Sequence, residues 1–331
     1  MVSPNINLNA SALKLVQKLC AESDKFAITY EKTPSGATLV DVGLHAEGGY
    51  LAGEMVTEIC LGGYGKATVM PVQYGDIVLP SVFVQTDHPA LSLLGSQFAG
   101  WQIRGEGFSA IASGPARALA LKPKDLYAKL KYQERSDVAV LVLETEAEPP
   151  EPVVEQIALK CNVRTDNLYL VMFSTTSLAG ATQVSGRIVE TGLHKLERLE
   201  FDPLLVRHAW GYAPIVPLHP SSGEAMGRTN DAILYGGVTN YTVDYEDEEE
   251  LKVISKQAPS SASKMLQEAR QLAAKSPRFL DIFKEAGFDF YKIDPNIFAP
   301  AMVSLTNKRT GNTYTSGSLD IEAVKRSLGL I

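Results

Sequence analysis

Residues 138–173 read VAVLVLETEAEPPEPVVEQIALKCNVRTDNLYLVMF, and this stretch decides the fold class. Val138–Glu144 is a continuous apolar run of strand length, the pattern of a central strand covered on both faces. The acidic, proline-rich TEAEPPEP (145–152) that follows reads as a linker. A helix is expected from Val153 to Cys161, then a second apolar strand in NLYLVMF (167–173). Helices between apolar strands on both sides of the linker predict an α+β (mixed α/β) chain. The expected domains are therefore 1–148, an N-terminal α/β domain, and 149–331, a C-terminal α/β domain. The last strands packing back on the first domain is the alternative.

Working outward, the N-terminal stretch MVSPNINLNASALKLVQKLCAESDKF reads as a capped amphipathic helix, with Asn9 or Ser11 at the start and Leu13, Val16, Leu19 and Cys20 on one face. FAITYEKTPSGATLVDVG (26–43) reads as two strands joined by a turn at Pro34-Ser35-Gly36, and AMVSLTNKRTGNTYTSG (301–317) resembles it, which hints at duplication. A helix entered through Asp87 and Pro89 is expected in DHPALSLLGSQFAGWQI. The small-residue loop Ser174–Ser177 leads into a helix running to about Glu200. DYEDEEE (244–250) reads as a solvated loop or edge, and APSSASK (258–264) as a loop before a helix.

The 331 residues carry a formal net charge of -7, with 45% hydrophobic and 21% charged residues. That length allows two domains with real cores, and the acidic balance argues against a general nucleic-acid binder. No apolar run approaches the roughly 20 residues of a membrane-spanning helix. The first 26 residues lack a basic segment followed by an apolar core, so a cytoplasmic location is expected. Three separated cysteines, Cys20, Cys60 and Cys161, suit a reducing compartment better than a disulfide framework.

Five histidines, His45, His88, His194, His208 and His219, show no metal-ligand spacing, so no metal is expected. CLGGYGK (60–66) and GRTNDAILYGG (227–237) lack the spacing of phosphate loops, and Ser113 in SGPAR is not in a GxSxG elbow. SGRIVETGLHKLER (185–198) is the most informative stretch. On a helix, Val189, Leu193 and Leu196 form an apolar stripe, while Arg187, Glu190, His194 and Glu197 share another face. Arg187 and Glu190 are three apart, so their heads can meet. One reading is a surface ion pair worth under about 1 kcal/mol; the other is a partly desolvated carboxylate that activates water. Pattern alone leaves both open. Thr86-Asp87-His88 and Arg228–Asp231 read equally as helix caps, and Lys292 and Asp294 as the frame of a proline turn.

The segments EICLGGYG, TDHPALSLLGSQFAGW, SGPARALA, ETGLHKL, AMGRTNDAILYGG and DFYKIDPNIFAPA occur in this order. Together they resemble the methenyltetrahydromethanopterin cyclohydrolases along nearly the whole chain. The resemblance implies two similar α/β domains with a cleft between them, assembly as a homotrimer, and a C1-carrying pterin as substrate. It implies reversible hydrolysis of the 5,10-methenyl carbon to 5-formyltetrahydromethanopterin, with no cofactor. It implies a catalytic pair at Arg187 and Glu190, Glu190 activating water while Arg187 tunes its pKa and orients it. Asp87, His88, Gln97, Thr176, Arg228, Asn230, Asp231 and Lys292 are expected near the pterin, with Arg228 and Lys292 meeting the acidic tail of the carrier. Two rivals stand beside this reading. A methenyltetrahydrofolate cyclohydrolase would be expected to carry a strand-linked GxGxxG, which is absent here. A catalytically silent pterin-binding or C1-carrier protein would keep the pocket without proton transfer.

Overall fold

A computed structural model describes residues 6–330 apart from 106 and 274. The chain forms two compact units, residues 1–67 with 90–183 and residues 68–89 with 184–331. Each is built on one six-stranded mixed sheet, as the mixed α/β class requires.

The first unit holds β1 (Thr29–Lys32), β2 (Thr38–Asp41), β5 (Trp101–Gly105), β6 (Phe108–Ser113), β7 (Ala139–Thr145) and β8 (Leu168–Phe173), in the order β1-β2-β8-β7-β6-β5. Its helices are α1 (Leu8–Ala21), α2 (Ser23–Phe26), α3 (Tyr50–Cys60), α4 (Ala116–Ala120), α5 (Lys124–Leu130), α6 (Glu151–Cys161) and α7 (Leu178–Ser185), the last reaching into the second unit. The run at 138–144 is the interior strand β7, paired with β6 on one side and β8 on the other. Its apolar character on both faces has a direct cause. Leu141 and Leu143 join Leu168, Leu170 and Met172 against Val153, Ile157 and Cys161 of α6, while α1 and α3 lie against β7 as well. Strand β7, helix α6 and strand β8 are a parallel crossover unit.

That crossover corrects the expected domain limit at 148/149. TEAEPPEP is the loop from β7 to α6, and the strands on either side of it pair in one sheet from Ala139↔Leu168 to Glu144↔Phe173. A proline-rich acidic loop can connect a strand to its helix as readily as one domain to another. The true crossings are the excursion of residues 68–89 and the break inside α7.

The second unit holds β3 (Lys66–Tyr74), β4 (Ile77–Thr86), β9 (Val206–Pro214), β10 (Val238–Val243), β11 (Met302–Asn307) and β12 (Thr313–Gly317), in the order β12-β11-β10-β9-β4-β3. Its helices are α8 (Ile188–Arg198), α9 (Ser222–Gly236), α10 (Glu248–Gln257), α11 (Lys264–Ala273), α12 (Phe279–Glu285) and α13 (Ile321–Ser327). The last strands, β11 and β12, belong to this sheet. The two hairpins that resemble each other in sequence, β1–β2 and β11–β12, each close an edge of their own sheet and each add a parallel neighbour inward. The acidic run at 244–250 is not a loose loop. Asp247 caps α10 through Glu250 N at 2.9 Å, Glu248–Glu250 fill its first turn, and Asp244 pairs with Arg207, Lys308 and Arg309.

The helix expected in DHPALSLLGSQFAGWQI is a π-helix of eight residues, Ala90–Gln97, and all eight are buried. A buried helix of this kind leaves carbonyls that need partners. Arg117, itself fully buried, supplies Nη1 to Leu94 O at 3.2 Å and Ser96 O at 3.0 Å. Tyr127 Oη donates to Gly95 O at 2.8 Å, and Gly114 N to Ser96 O at 2.8 Å. The SGPAR segment is thereby explained as the clamp on this helix. Among the described residues no helix is long and apolar enough to cross a membrane.

Helix α1 begins one or more residues earlier than expected, with Asn7 as its cap. Asn9 is instead fully buried: its side chain donates to Pro115 O and Glu134 Oε1 and accepts from Val140 N at 2.9 Å. Replacing Asn9 by Ala would orphan the Val140 amide and the Pro115 carbonyl, at a cost of about 2–3 kcal/mol. Thermal or urea unfolding of Asn9→Ala against Lys14→Ala checks this; the exposed Lys14 change should leave stability unaltered.

Candidate active site

Helix α8 is seated on β9 and β10. On β9, Ala209, Gly211 and Ala213 turn toward the helix layer, and His208 and Trp210 turn outward. Gly211 has no side chain where Val189 packs, since a Cβ there would meet Val189 Cγ2 at 3.1 Å. This close seat brings the start of α8 down onto the sheet. Arg187 stands at its N-cap position and Glu190 in its first turn.

The two heads meet, Arg187 Nη2 donating to Glu190 Oε2 at 2.8 Å. Their side chains are 13% and 5% exposed. The surface-pair reading is thereby excluded, because a solvent-screened pair would expose both groups. A carboxylate desolvated to this degree needs a charged partner, and the guanidinium provides it. The helix N-terminus adds its own positive end to the same place.

Two neighbours on α8 were not among the expected site residues. His194, one turn below Glu190, is partly buried, and loss of water holds its imidazole down to about 4, against a weaker opposing pull from Glu197. It is neutral at physiological pH. The i, i+4 spacing to Glu190 was its visible signal. Lys195 is buried and donates Nζ to Asn296 O at 3.0 Å, and burial lowers its pKa. That bond fastens α8 to the short 3₁₀ turn Pro295–Ile297, capped by Asp294 through Asn296 N. No local pattern announces it, because the partner is a backbone carbonyl about a hundred residues away.

The other expected site residues scatter. Gln97 closes the π-helix of the first unit and is fully buried. Thr176, also in the first unit, lies in the loop after β8 with its hydroxyl 2.7 Å from Ser174 Oγ. Asp87 does not cap a helix: it bonds His208 Nδ1 at 2.8 Å on the outward side of β9, opposite α8. Period-two alternation along β9 separates that pair from Glu190. The neighbouring His88 is exposed, its amide held by Thr86 Oγ1 at 3.0 Å. Arg228–Asp231 are interior residues of α9, not its cap. Arg228 is partly buried and its Nε has no hydrogen-bond partner, while Asn230 spends its amide on Met226 O at 2.9 Å. Lys292 is exposed, 3.8 Å from Asp289. Among the described residues no group of three His, Cys, Asp or Glu could hold a metal ion.

Asp231 carries a structural load. It is fully buried, with Oδ1 accepting from Phe279 N at 2.8 Å and Oδ2 from Ser327 Oγ at 2.7 Å. These bonds tie α9 to α12 and α13. Both oxygens accept from the protein itself, so Asp231 braces these helices.

A carboxylate held by a guanidinium at the start of a helix has the chemistry that proton transfer requires. The chain belongs to the family described as Cyclohydrolase (MCH), matched over residues 7–328. It is 42% identical over 328 residues to the methenyltetrahydromethanopterin cyclohydrolase of Methanothermobacter marburgensis, covering 98% of this chain and 100% of the relative. Enzymes of the same name from Methanocaldococcus jannaschii and Methanococcoides burtonii are 41% and 37% identical. Each alignment covers 98% of this chain, with 98% and 99% of the relatives.

Burial raises the Asp231 carboxyl to about 7, against smaller opposing effects of its two donors. The folded protein therefore holds this proton more tightly than the unfolded chain. Stability from this group is full below about pH 4 and declines as pH rises to about 7. Asp231→Asn cannot titrate and should remove that decline. Thermal midpoints of both proteins from pH 4 to 8 check it: their difference should change across this window and level off above it.

Proposed function

We propose that this chain hydrolyses 5,10-methenyltetrahydromethanopterin to 5-formyltetrahydromethanopterin, reversibly, with Glu190 activating water and Arg187 orienting it. The observation that carries the assignment of roles is the buried Arg187–Glu190 contact of 2.8 Å in a chain of the cyclohydrolase family. The methenyl carbon of such a substrate is an amidinium: two nitrogens share its positive charge, and it is already electrophilic. No metal or redox cofactor is required to polarise it.

The steps balance with one carboxylate. Water adds to the methenyl carbon as Glu190 takes its proton, giving a neutral tetrahedral carbinolamine. The protonated Glu190 then returns that proton to N10 as the C–N10 bond breaks. The carbinolamine hydroxyl loses its own proton to solvent and becomes the formyl oxygen. One water is consumed and one proton released. Arg187 keeps the carboxylate in place through both transfers, and the carboxylate's charge favours the cationic methenyl group before attack.

Arg228 suits the acidic tail of the carrier, since its buried Nε lacks a hydrogen-bond partner. Gln97, Thr176, His88, Asn230 and Lys292 enter as pterin contacts on the family resemblance alone. A homotrimer rests on the same ground, with sedimentation equilibrium as its test, while a cytoplasmic location rests on the reading of the sequence alone.

The test is the absorbance of the methenyl chromophore after addition of purified protein, with and without a chelator. Rapid loss, unchanged by chelator, is expected, and Glu190→Gln should be slower by about 10²–10⁴-fold. Pterin binding without loss of the chromophore would favour a silent binding protein instead. Faster loss with methenyltetrahydrofolate would redirect the assignment to the other C1 carrier.

A further inference from the structure

Tyr241 stands within β10 and is fully buried. Its hydroxyl donates to the Val189 carbonyl at 2.7 Å, and the Leu193 N–H acts on the same oxygen. Val189 and Leu193 belong to the backbone of α8, on either side of Glu190 in sequence, and the Thr239 side chain of β10 also acts on the hydroxyl. Room for the hydroxyl exists because residue 192 is glycine: a Cβ there would lie 2.1 Å from the Tyr241 oxygen. The phenol is thus seated against the helix backbone, under the turn that carries the carboxylate.

Packing alone does not ask for this hydroxyl, since phenylalanine fills nearly the same volume. Burial keeps the phenol protonated by raising its pKa, with the nearby Glu190 charge adding to the effect, so it remains a donor. A donor fixed on Val189 O sets the height and rotation of the first turn of α8. Small displacements of a reacting group are costly, on the order of 10²-fold for about 1 Å.

We infer that Tyr241 is a positioning residue for Glu190, its hydroxyl holding the Val189 carbonyl so that α8 presents the carboxylate at one height and angle. The inference rests on the reading that Glu190 activates water. Tyr241 acts through the helix backbone and not on the substrate.

The test compares Tyr241→Phe, Gly192→Ala and Glu190→Gln by steady-state loss of the methenyl chromophore, with circular dichroism as the check on folding. Tyr241→Phe should lower kcat by about 10- to 100-fold while leaving KM within about twofold, a pattern that general loosening of the protein would not produce. Gly192→Ala pushes the hydroxyl away while keeping the ring, and should lower kcat in the same way. A folded Tyr241→Phe or Gly192→Ala with kcat within about twofold of the parent, beside an inactive Glu190→Gln, would overturn the inference alone. Full activity in Glu190→Gln would overturn the reading beneath it.

Discussion

A carboxylate that has lost its water constrains everything around it. Glu190, with its side chain 5% exposed, is made tolerable by a guanidinium 2.8 Å away and a helix N-terminus beside it. Each of those conditions depends on α8 lying close upon its sheet. That closeness depends in turn on small residues at Gly192 and Gly211 and on the Lys195 bond to Asn296 O. Desolvation, pairing and helix seating are therefore one device, and none of the three would hold alone. Removing the guanidinium would leave a buried charge, and lifting the helix would let water screen the pair.

The first unit solves a different problem with similar means. An eight-residue π-helix is an unusual object, and its complete burial would be expensive if its carbonyls were left bare. Arg117, Tyr127 and the Gly114 amide take the carbonyls of residues 94–96 between them. Arg117 also lies over the rings of Phe98 and Tyr127, which accommodates its charge away from water. Asn9 and Glu134 hold the start of α1 in the same fashion, by side chains that satisfy backbone groups far away in sequence. Polar residues in this unit thus act as fasteners.

Legibility in the sequence followed the range of the interaction. The strands at 139–145 and 168–173 and the helix between them were readable, because burial on both faces writes an unbroken apolar run. The turn at 34–36 and the spacing of Arg187 and Glu190 were readable because they are local. Burial of that pair was not, since it is set by β9 and β10, which come later in the chain. The unit boundary was misread at 148/149 because loop composition reports solvent exposure, not which strands pair across it. Asp231 looked like part of a polar cluster, and only the approach of Phe279 N and Ser327 Oγ reveals it as a brace. Tyr241 gave no signal beyond that of a strand residue, because its partner on α8 is the Val189 carbonyl, a backbone atom about fifty residues away.

The chemistry of the family explains why so little machinery needs to be exposed in sequence. An amidinium carbon carries its own activation, so an enzyme acting on it must supply a base, an acid and a fixed geometry rather than a strong electrophile. One carboxylate can be base and acid in turn, provided that it does not move between the two transfers. A short contact to Arg187 holds its head, and the backbone of α8 holds its stem. The demand on the protein is then mostly positional, and positional demands are met by packing, glycines and backbone hydrogen bonds. Such features leave faint traces in sequence and strong ones in structure, and here they gather around the first turn of a single helix.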